Sequence, residues 1–149
     1  MDNKDRTILI IGATGQQGGA VACHLLMDGW RLRTLTRDPN KAAARALADA
    51  GVEVLPGNID DRASLDRAMA GAYGVFSVTA FWEHGYDAEI RHGKAVADAA
   101  LAAGVKHFVY SAMGGTDRDT GMRHAESKWE IEKYVEAKSL PATSWRATA

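Results

Sequence analysis

Short apolar runs alternate with longer amphipathic stretches along the whole chain. The runs Thr7–Ile11, Arg31–Thr36, Val52–Leu55, Tyr73–Val78 and Lys106–Ser111, with a last one at Thr143–Arg146, are rich in Val, Ile, Leu and aromatic residues. That is the pattern of strands buried on both faces of a parallel sheet. Between them, Gln17–Asp28, Pro39–Ala50, Ala63–Ala70, Tyr86–Ala103 and His124–Lys138 carry helical spacing. Gly29, Gly51, Gly71 and Gly104 each close a helical stretch where a C′ glycine takes positive φ, and Asp61 stands ready to cap the third helix. Strand–helix alternation with short joints predicts right-handed βαβ units. The expected fold is α/β: a doubly wound parallel sheet of about six strands in three α/β/α layers. No linker, repeat or low-complexity segment divides the chain, and the Ala-rich stretches Ala42–Ala50 and Ala95–Ala103 read as close-packed helices.

Composition narrows the partners. A chain of 149 residues, 46% hydrophobic and 25% charged, is one globular domain, not a disordered, collagenous or coiled-coil sequence. A net charge of −1 gives no field that draws the chain to nucleic acid or to an anionic membrane. A single cysteine, Cys23, excludes a disulfide framework and any Cys-based zinc or iron–sulfur centre. The polar start Met1–Arg6 runs straight into a strand, which is not a signal peptide, and no apolar run approaches the ~20 residues of a bilayer span. A cytoplasmic protein with no membrane partner is expected.

The chemistry lies in the first strand–helix joint, Gly12-Ala13-Thr14-Gly15-Gln16-Gln17-Gly18, a G-x-x-G-x-x-G loop between a strand and a helix. In that setting Gly12 permits the tight exit from the strand, Gly15 lets backbone approach a pyrophosphate, and Gly18 lets the helix lie close to the sheet. The helix N-terminus then offers free N–H groups to the anion. The plainer alternative is a tight turn and nothing more. Dinucleotide sites that take NAD hold the ribose 2′-OH with a carboxylate at the end of the second strand. Here Arg37 takes that position, with Asp38 one residue later and Lys41 close behind. A guanidinium suits a 2′-phosphate, so NADP(H) is preferred over NAD(H); the alternative is a solvated Arg and Lys at an exposed strand end.

With Thr36-Arg37-Asp38-Pro39 and several later segments in view, the chain resembles the NmrA-like family, atypical relatives of the short-chain dehydrogenases/reductases. The segments are Gly57-Asn58-Ile59-Asp60-Asp61, Val75–Glu83, Lys106–Ser111, His124-Ala125-Glu126-Ser127-Lys128-Trp129-Glu130-Ile131-Glu132 and Leu140-Pro141. The resemblance implies a Rossmann-like NAD(P)-binding domain over residues 1–149. It implies that Gly12, Ala13, Thr14, Gly15, Gln16, Gln17 and Gly18 hold the pyrophosphate, and Arg37 with Lys41 the 2′-phosphate. Asn58, where the family more often has Asp, and Ile59 would border the adenine. Thr79, Ala80 and Phe81 would line the ribose and nicotinamide side, with Arg91 near the cofactor and Lys128 on the nicotinamide ribose. Phe81 and Trp82 are equally well read as packing at a strand end.

Reductases of the wider superfamily use a Tyr-x-x-x-Lys pair, which sits on one helix face. The corresponding residues here are His124 and Lys128, with no tyrosine. His124 is a candidate acid, since imidazole titrates near neutrality, or else an exposed residue at a helix start. Ser111, ending the fifth strand, is a further candidate to hydrogen-bond a ligand. His84, His92, His107 and His124 show no carboxylate partner at metal-ligand spacing, and no metal is expected. Asp60-Asp61 reads as a loop and helix cap, and Asp117 and Asp119 as solvating the loop Met113–Met122. The resemblance implies a redox sensor or regulatory module that binds NADP(H) with little or no turnover, acting through a regulatory protein partner. The alternative is an NAD(P)H-dependent oxidoreductase, or the remnant of one, with a quinone or carbonyl substrate. In the family the chain runs on past the sixth strand into a substrate-side region. This sequence stops at Ala149, so that region is expected to be absent and the bared surface to favour homo-oligomers.

Overall fold

A computed structural model describes residues 3–79, 81–113, 122–138 and 140–147. Its six strands are β1 (Thr7–Ile11), β2 (Arg31–Thr36), β3 (Glu53–Pro56), β4 (Gly74–Ser77), β5 (His107–Met113) and β6 (Ala142–Ala147). They form one sheet in the order β3-β2-β1-β4-β5-β6, with every pairing parallel. The central strand β1 sets Leu9 opposite Arg33 on one side and Val75 on the other. Chain direction across the sheet reverses between β1 and β4, the switch point where open α/β sheets part their loops and form a crevice.

Alternation along the strands feeds two cores. Leu9, Ile11, Val75, Phe108 and Tyr110 face α3 (Arg62–Met69), α4 (Phe81–Ala103) and α5 (Arg123–Ala137), burying Leu65, Met69, Val96, Ile131 and Val135. Ile10, Leu32 and Phe76 face the other way, against α1 (Gln16–Met27) and α2 (Ala42–Asp49). The three-layer architecture expected from the pattern is the one present. In α4 the alanine stretch packs as expected, with Ala97, Ala99 and Ala100 fully buried, whereas α2 buries only Ala44. Gly93 brings α4 onto α5: a Cβ there would lie 2.6 Å from the Ile131 side chain.

Helix ends agree with the sequence in part. Gly29, Gly51, Gly71 and Gly104 all have positive φ, and the Asp61 carboxylate caps α3 by accepting from Ala63 N–H. Helix α2 starts at Ala42, not Pro39, because Asp38 accepts from the Asn40 N–H and Thr36 Oγ1 from the Asp38 N–H. Those side chains build a turn in competition with the helix. Strand β5 runs on to Met113, so Ser111 lies inside it and is buried instead of ending it. Helix α4 begins five residues before the expected Tyr86 and is broken at Gly85 (φ 83°, ψ −179°). A short 3₁₀ turn at Asn3–Asp5 was not foreseen. Among the described residues no helix is long and apolar enough to cross a membrane. The loop aspartates Asp117 and Asp119 lie outside the described residues.

Candidate functional site

A cleft of about 590 Å³ opens at the carboxyl ends of β1 to β4, across the switch point. That volume is ordinary for a small-molecule site. Its wall brings together Gly12, Thr14, Arg37, Lys41, Asn58, Ile59, Thr79 and Arg91, eight of the positions the sequence nominates. Ala13, Gly15, Gln16, Gln17 and Gly18 complete the loop and first helical turn beneath it without lining the cleft. Ala80 and the side chains of Phe81 and His124 lie outside the described residues.

The loop is built from bare backbone. Gly12 leaves β1 with φ +90°, which β-carbon-bearing residues rarely adopt, and a Cβ there would press to 2.5 Å from Val78 Cγ1. Gly15 N–H donates to the Gly12 carbonyl at 3.0 Å and closes the turn. A Cβ on Gly18 would fall 2.1 Å from the Gly12 carbonyl oxygen, so the first turn of α1 rests on the loop itself. Gly15 is the N-cap and supplies no side-chain acceptor, and the first turn of α1 carries no acidic residue. Uncapped N–H groups and the positive end of the helix dipole therefore lie directly behind Gly12 and Thr14 of the cleft wall, an environment suited to an anion.

At the end of β2 the same Thr36 and Asp38 bonds that delay α2 fix the turn. Arg37 and Lys41 are exposed on it, and among the described residues neither side chain has a carboxylate within ion-pair distance. Two cations without an ion-pair partner, with Asp38 between them, thus stand on the cleft wall at this end. The β3–α3 joint is stiffer. Gly57 N–H donates to Thr36 O, Asp61 N–H to Asn58 O, and the Asn58 side-chain oxygen accepts from Asp60 N–H at 3.0 Å. The amide at Asn58 thus does the turn-forming work a carboxylate would do, which accounts for its tolerance there.

Asp60 stands in the loop as expected, but its carboxylate has partners that the sequence reading does not contain: Asp60 Oδ1 accepts from Arg91 Nε at 2.9 Å and lies 3.1 Å from His92 Nε2. The hydrogen bond from Arg91, and then that from His92, holds the Asp60 carboxyl below the usual carboxylate range. A folded-state value below the unfolded one stabilises the fold above the unfolded carboxylate pKa, and the contribution is lost as pH falls through the folded value. Because 43% of the Asp60 side chain is exposed, the effect is small. Asp60→Asn is expected to lower stability by about 0.5 kcal/mol at neutral pH, and by less as the pH falls below about 4. Urea unfolding of both forms across that range checks it; a gap that stays constant with pH contradicts the assignment. Sequence spacing conceals this cluster, since Asp60 lies 32 positions from His92.

At the other end of the cleft Thr79 joins a buried network. Its hydroxyl donates to Glu89 Oε2 at 2.8 Å and lies 3.5 Å from the Tyr110 hydroxyl. Glu89, fully buried, also accepts from Ser127 Oγ and from Lys128 Nζ, the latter at 2.9 Å. Lys128 Nζ in addition lies 3.4 Å from the Thr79 carbonyl oxygen. Burial pushes the Tyr110 phenol well above its ordinary range, so this hydroxyl is poorly disposed to release a proton. Tyr134, out of register for a Tyr-x-x-x-Lys pair, donates instead to Asp98 at 2.7 Å. Glu89 was missed by the sequence reading, although a signal existed: it shares the spacing of Gly93, Ala97 and Ala100, the buried stripe of α4, where an ionisable residue is uncommon. Among the described residues no group of three or more His, Cys, Asp or Glu is placed to hold a metal ion.

Comparison with known proteins agrees with this fold. The family model described as "NmrA-like family" matches residues 4–149. An Aspergillus versicolor protein named NmrA-like family domain-containing oxidoreductase notA′ is 36% identical over 141 residues, 87% of this chain and 40% of its own length. The Citrobacter sp. triphenylmethane reductase complexed with NADP(H) superposes with a TM-score of 0.82 at 28% identity, over 94% of this chain and 48% of that one. Nmra, a negative transcriptional regulator, in complex with NADP superposes with a TM-score of 0.80 at 26% identity, over 95% of this chain and 44% of that one; it is also known in complex with NAD. The chain therefore spans about two fifths of the length of the curated relatives it matches.

Proposed function

Starting from the fact that this chain belongs to the NmrA-like family of NAD(P)-binding, oxidoreductase-related proteins, we propose that it binds NADP(H) in preference to NAD(H) and reads the cofactor with little or no turnover. The observation that carries the proposal is the pair of cations without an ion-pair partner among the described residues, Arg37 and Lys41, on the wall of the cleft that the glycine loop opens. The residues fit the group: the loop has no room for side chains at Gly12 and Gly18, the helix above it is uncapped, and both cations stand at the end of β2. In this reading Gly12–Gly18 and the N-terminus of α1 take the pyrophosphate, Arg37 and Lys41 the 2′-phosphate, and Asn58 and Ile59 border the adenine. Thr79 and Lys128 stand on the nicotinamide side. The bound cofactor supplies hydride chemistry; the residues here bind and orient it.

A sensing role is favoured by the nicotinamide end. The pair at the Tyr-x-x-x-Lys spacing is His124 and Lys128, and the phenol beside Thr79, Tyr110, is buried and holds its proton. A sensor needs only differential affinity for the cofactor forms, coupled to a partner surface. The setting that goes with this reading is cytoplasmic, and the partner a protein, not nucleic acid or a membrane. A second reading, an NAD(P)H-dependent reductase of a quinone or carbonyl compound, is favoured by the names of the relatives, an oxidoreductase and a triphenylmethane reductase.

Calorimetric titration with NADPH, NADP⁺, NADH and NAD⁺ tests the proposal. At least about tenfold tighter binding of the phosphorylated forms is expected, the worth of one charge-assisted contact. Equal affinity for NADH and NADPH would remove the preference. NADPH oxidation in the presence of a small quinone or an aldehyde is expected to stay at the uncatalysed rate; robust turnover transfers the case to the reductase.

A further inference from the structure

Glu89 occupies an unusual position for a carboxylate. It sits on the buried stripe of α4, has no exposed surface, and collects three donors from two other elements: Thr79 Oγ1 after β4, and Ser127 Oγ and Lys128 Nζ on α5. Burying an ionised carboxylate is unfavourable unless hydrogen bonds and an opposite charge compensate it, and here both are present. Lys128 retains 16% of its side-chain surface. An ammonium has three N–H donors. Glu89 takes one and the Thr79 carbonyl oxygen is within reach of a second, while Thr79 itself lines the cleft. The lysine, which does not itself line the cleft, is thereby held against Thr79 with its charge matched and, among the described residues, one donor left over.

We propose that Glu89 is a positioning residue: it holds the Lys128 ammonium at the Thr79 end of the cleft, so that Lys128 acts as an oriented hydrogen-bond donor to the nicotinamide-bearing half of the dinucleotide and not as a free cation for phosphate. The inference rests on the cofactor reading above and goes past it by naming which residue organises that half of the site. A free lysine on a helix would sample many rotamers and lose entropy on binding; Glu89 has removed that loss beforehand. It also follows that the two halves of the ligand are held by different means. Exposed charge serves the adenosine end, and a buried, charge-neutral pair the other.

The test compares NADPH with adenosine 2′,5′-bisphosphate, which keeps the phosphorylated ribose and lacks the nicotinamide half. Glu89→Gln is nearly isosteric but lacks the charge. It is expected to weaken NADPH about tenfold, as the loss of one charge-assisted contact does, and to leave the bisphosphate unchanged. Lys128→Met should give the same selective loss, and the double variant Glu89→Gln/Lys128→Met should bind NADPH no more weakly than Lys128→Met alone, because both changes remove one interaction. If the single Glu89→Gln protein does not fold, the double variant, which leaves no unpaired charge, decides the matter by the same selectivity. Equal weakening of both ligands would reduce Glu89 to a structural residue and overturn the inference, as would unchanged NADPH binding in the variants. Wild-type protein that binds NADPH no better than the bisphosphate overturns the inference alone. Wild-type protein that binds neither ligand overturns the cofactor reading first, and the inference with it.

Discussion

Arg37→Glu is expected to weaken NADPH binding by about two orders of magnitude while changing NADH binding less than about threefold, since one charge-assisted contact is worth about 1.5–3 kcal/mol and the substitution adds a repulsion to its loss. The selectivity follows from position. Arg37 stands at the end of β2 on a turn already held by Thr36 and Asp38, so replacing its side chain leaves the backbone bonds of the turn untouched. Its guanidinium has no carboxylate to release among the described residues, so nothing is gained by its removal. Lys41, one turn along, should show the same direction with a smaller effect, because an ammonium meets phosphate as a point charge without the planar fork. Both residues are exposed, so the NADPH–NADH gap should narrow as salt rises, the Debye length falling from about 8 Å at physiological ionic strength to about 3 Å at 1 M. Isothermal titration of the variant with both reduced cofactors reads the result. A parallel loss for NADH and NADPH would mean that Arg37 does not meet the 2′-phosphate.

Gly18→Ala should be the most damaging single-methyl change. The added Cβ would lie 2.1 Å from the Gly12 carbonyl oxygen, 2.5 Å from the Gly12 carbonyl carbon and 2.9 Å from Ala13 N, all of them backbone atoms that no rotamer change can move aside. Either α1 lifts off the sheet or the loop is displaced. Overpacking of this kind costs about 3 kcal/mol, which for a domain of this size lowers Tm by about 10 °C. Gly19→Ala is the matched control, since its Cβ would meet only Ala13 O at 3.4 Å. In a helix interior alanine is favoured over glycine by up to about 1 kcal/mol, so that variant should be neutral or slightly stabilised. Thermal unfolding of the two proteins separates them. A Gly18→Ala protein as stable as Gly19→Ala would show that the loop and helix do not approach as closely as described.

What the sequence made legible follows the range of the interactions involved. β1 and β2 have the bounds read from the apolar runs, although β2 is only part-buried, whereas the fully buried β4 is shorter by one residue at each end than its run Tyr73–Val78. The glycine loop, Arg37 and Lys41 belong to single strand–helix joints, where motif and structure coincide. Helix α2 starts three residues later than its pattern predicts, since the Thr36 and Asp38 side chains, equally local, favour a turn over a helix. The rest of the site is non-local. Asp60 meets Arg91 and His92 from 31 and 32 positions away, and Glu89 meets Lys128 across 39. Nothing in spacing along one element announces such partners; the sheet order creates them by setting β3, β4 and the helices α4 and α5 around one crevice.

The break in α4 has its own consequence. Gly85 has φ 83° and ψ −179°, yet a Cβ built on it would meet nothing within 4 Å. The position therefore has space for a side chain but admits one only of the opposite hand. Inverted, these angles are ordinary extended backbone, so a D-alanine would sit there at rest while its L-enantiomer would force the chain to bend elsewhere. What fixes this residue is chirality and not crowding, and chemical synthesis with mirror-image building blocks can distinguish the two where ordinary mutagenesis cannot.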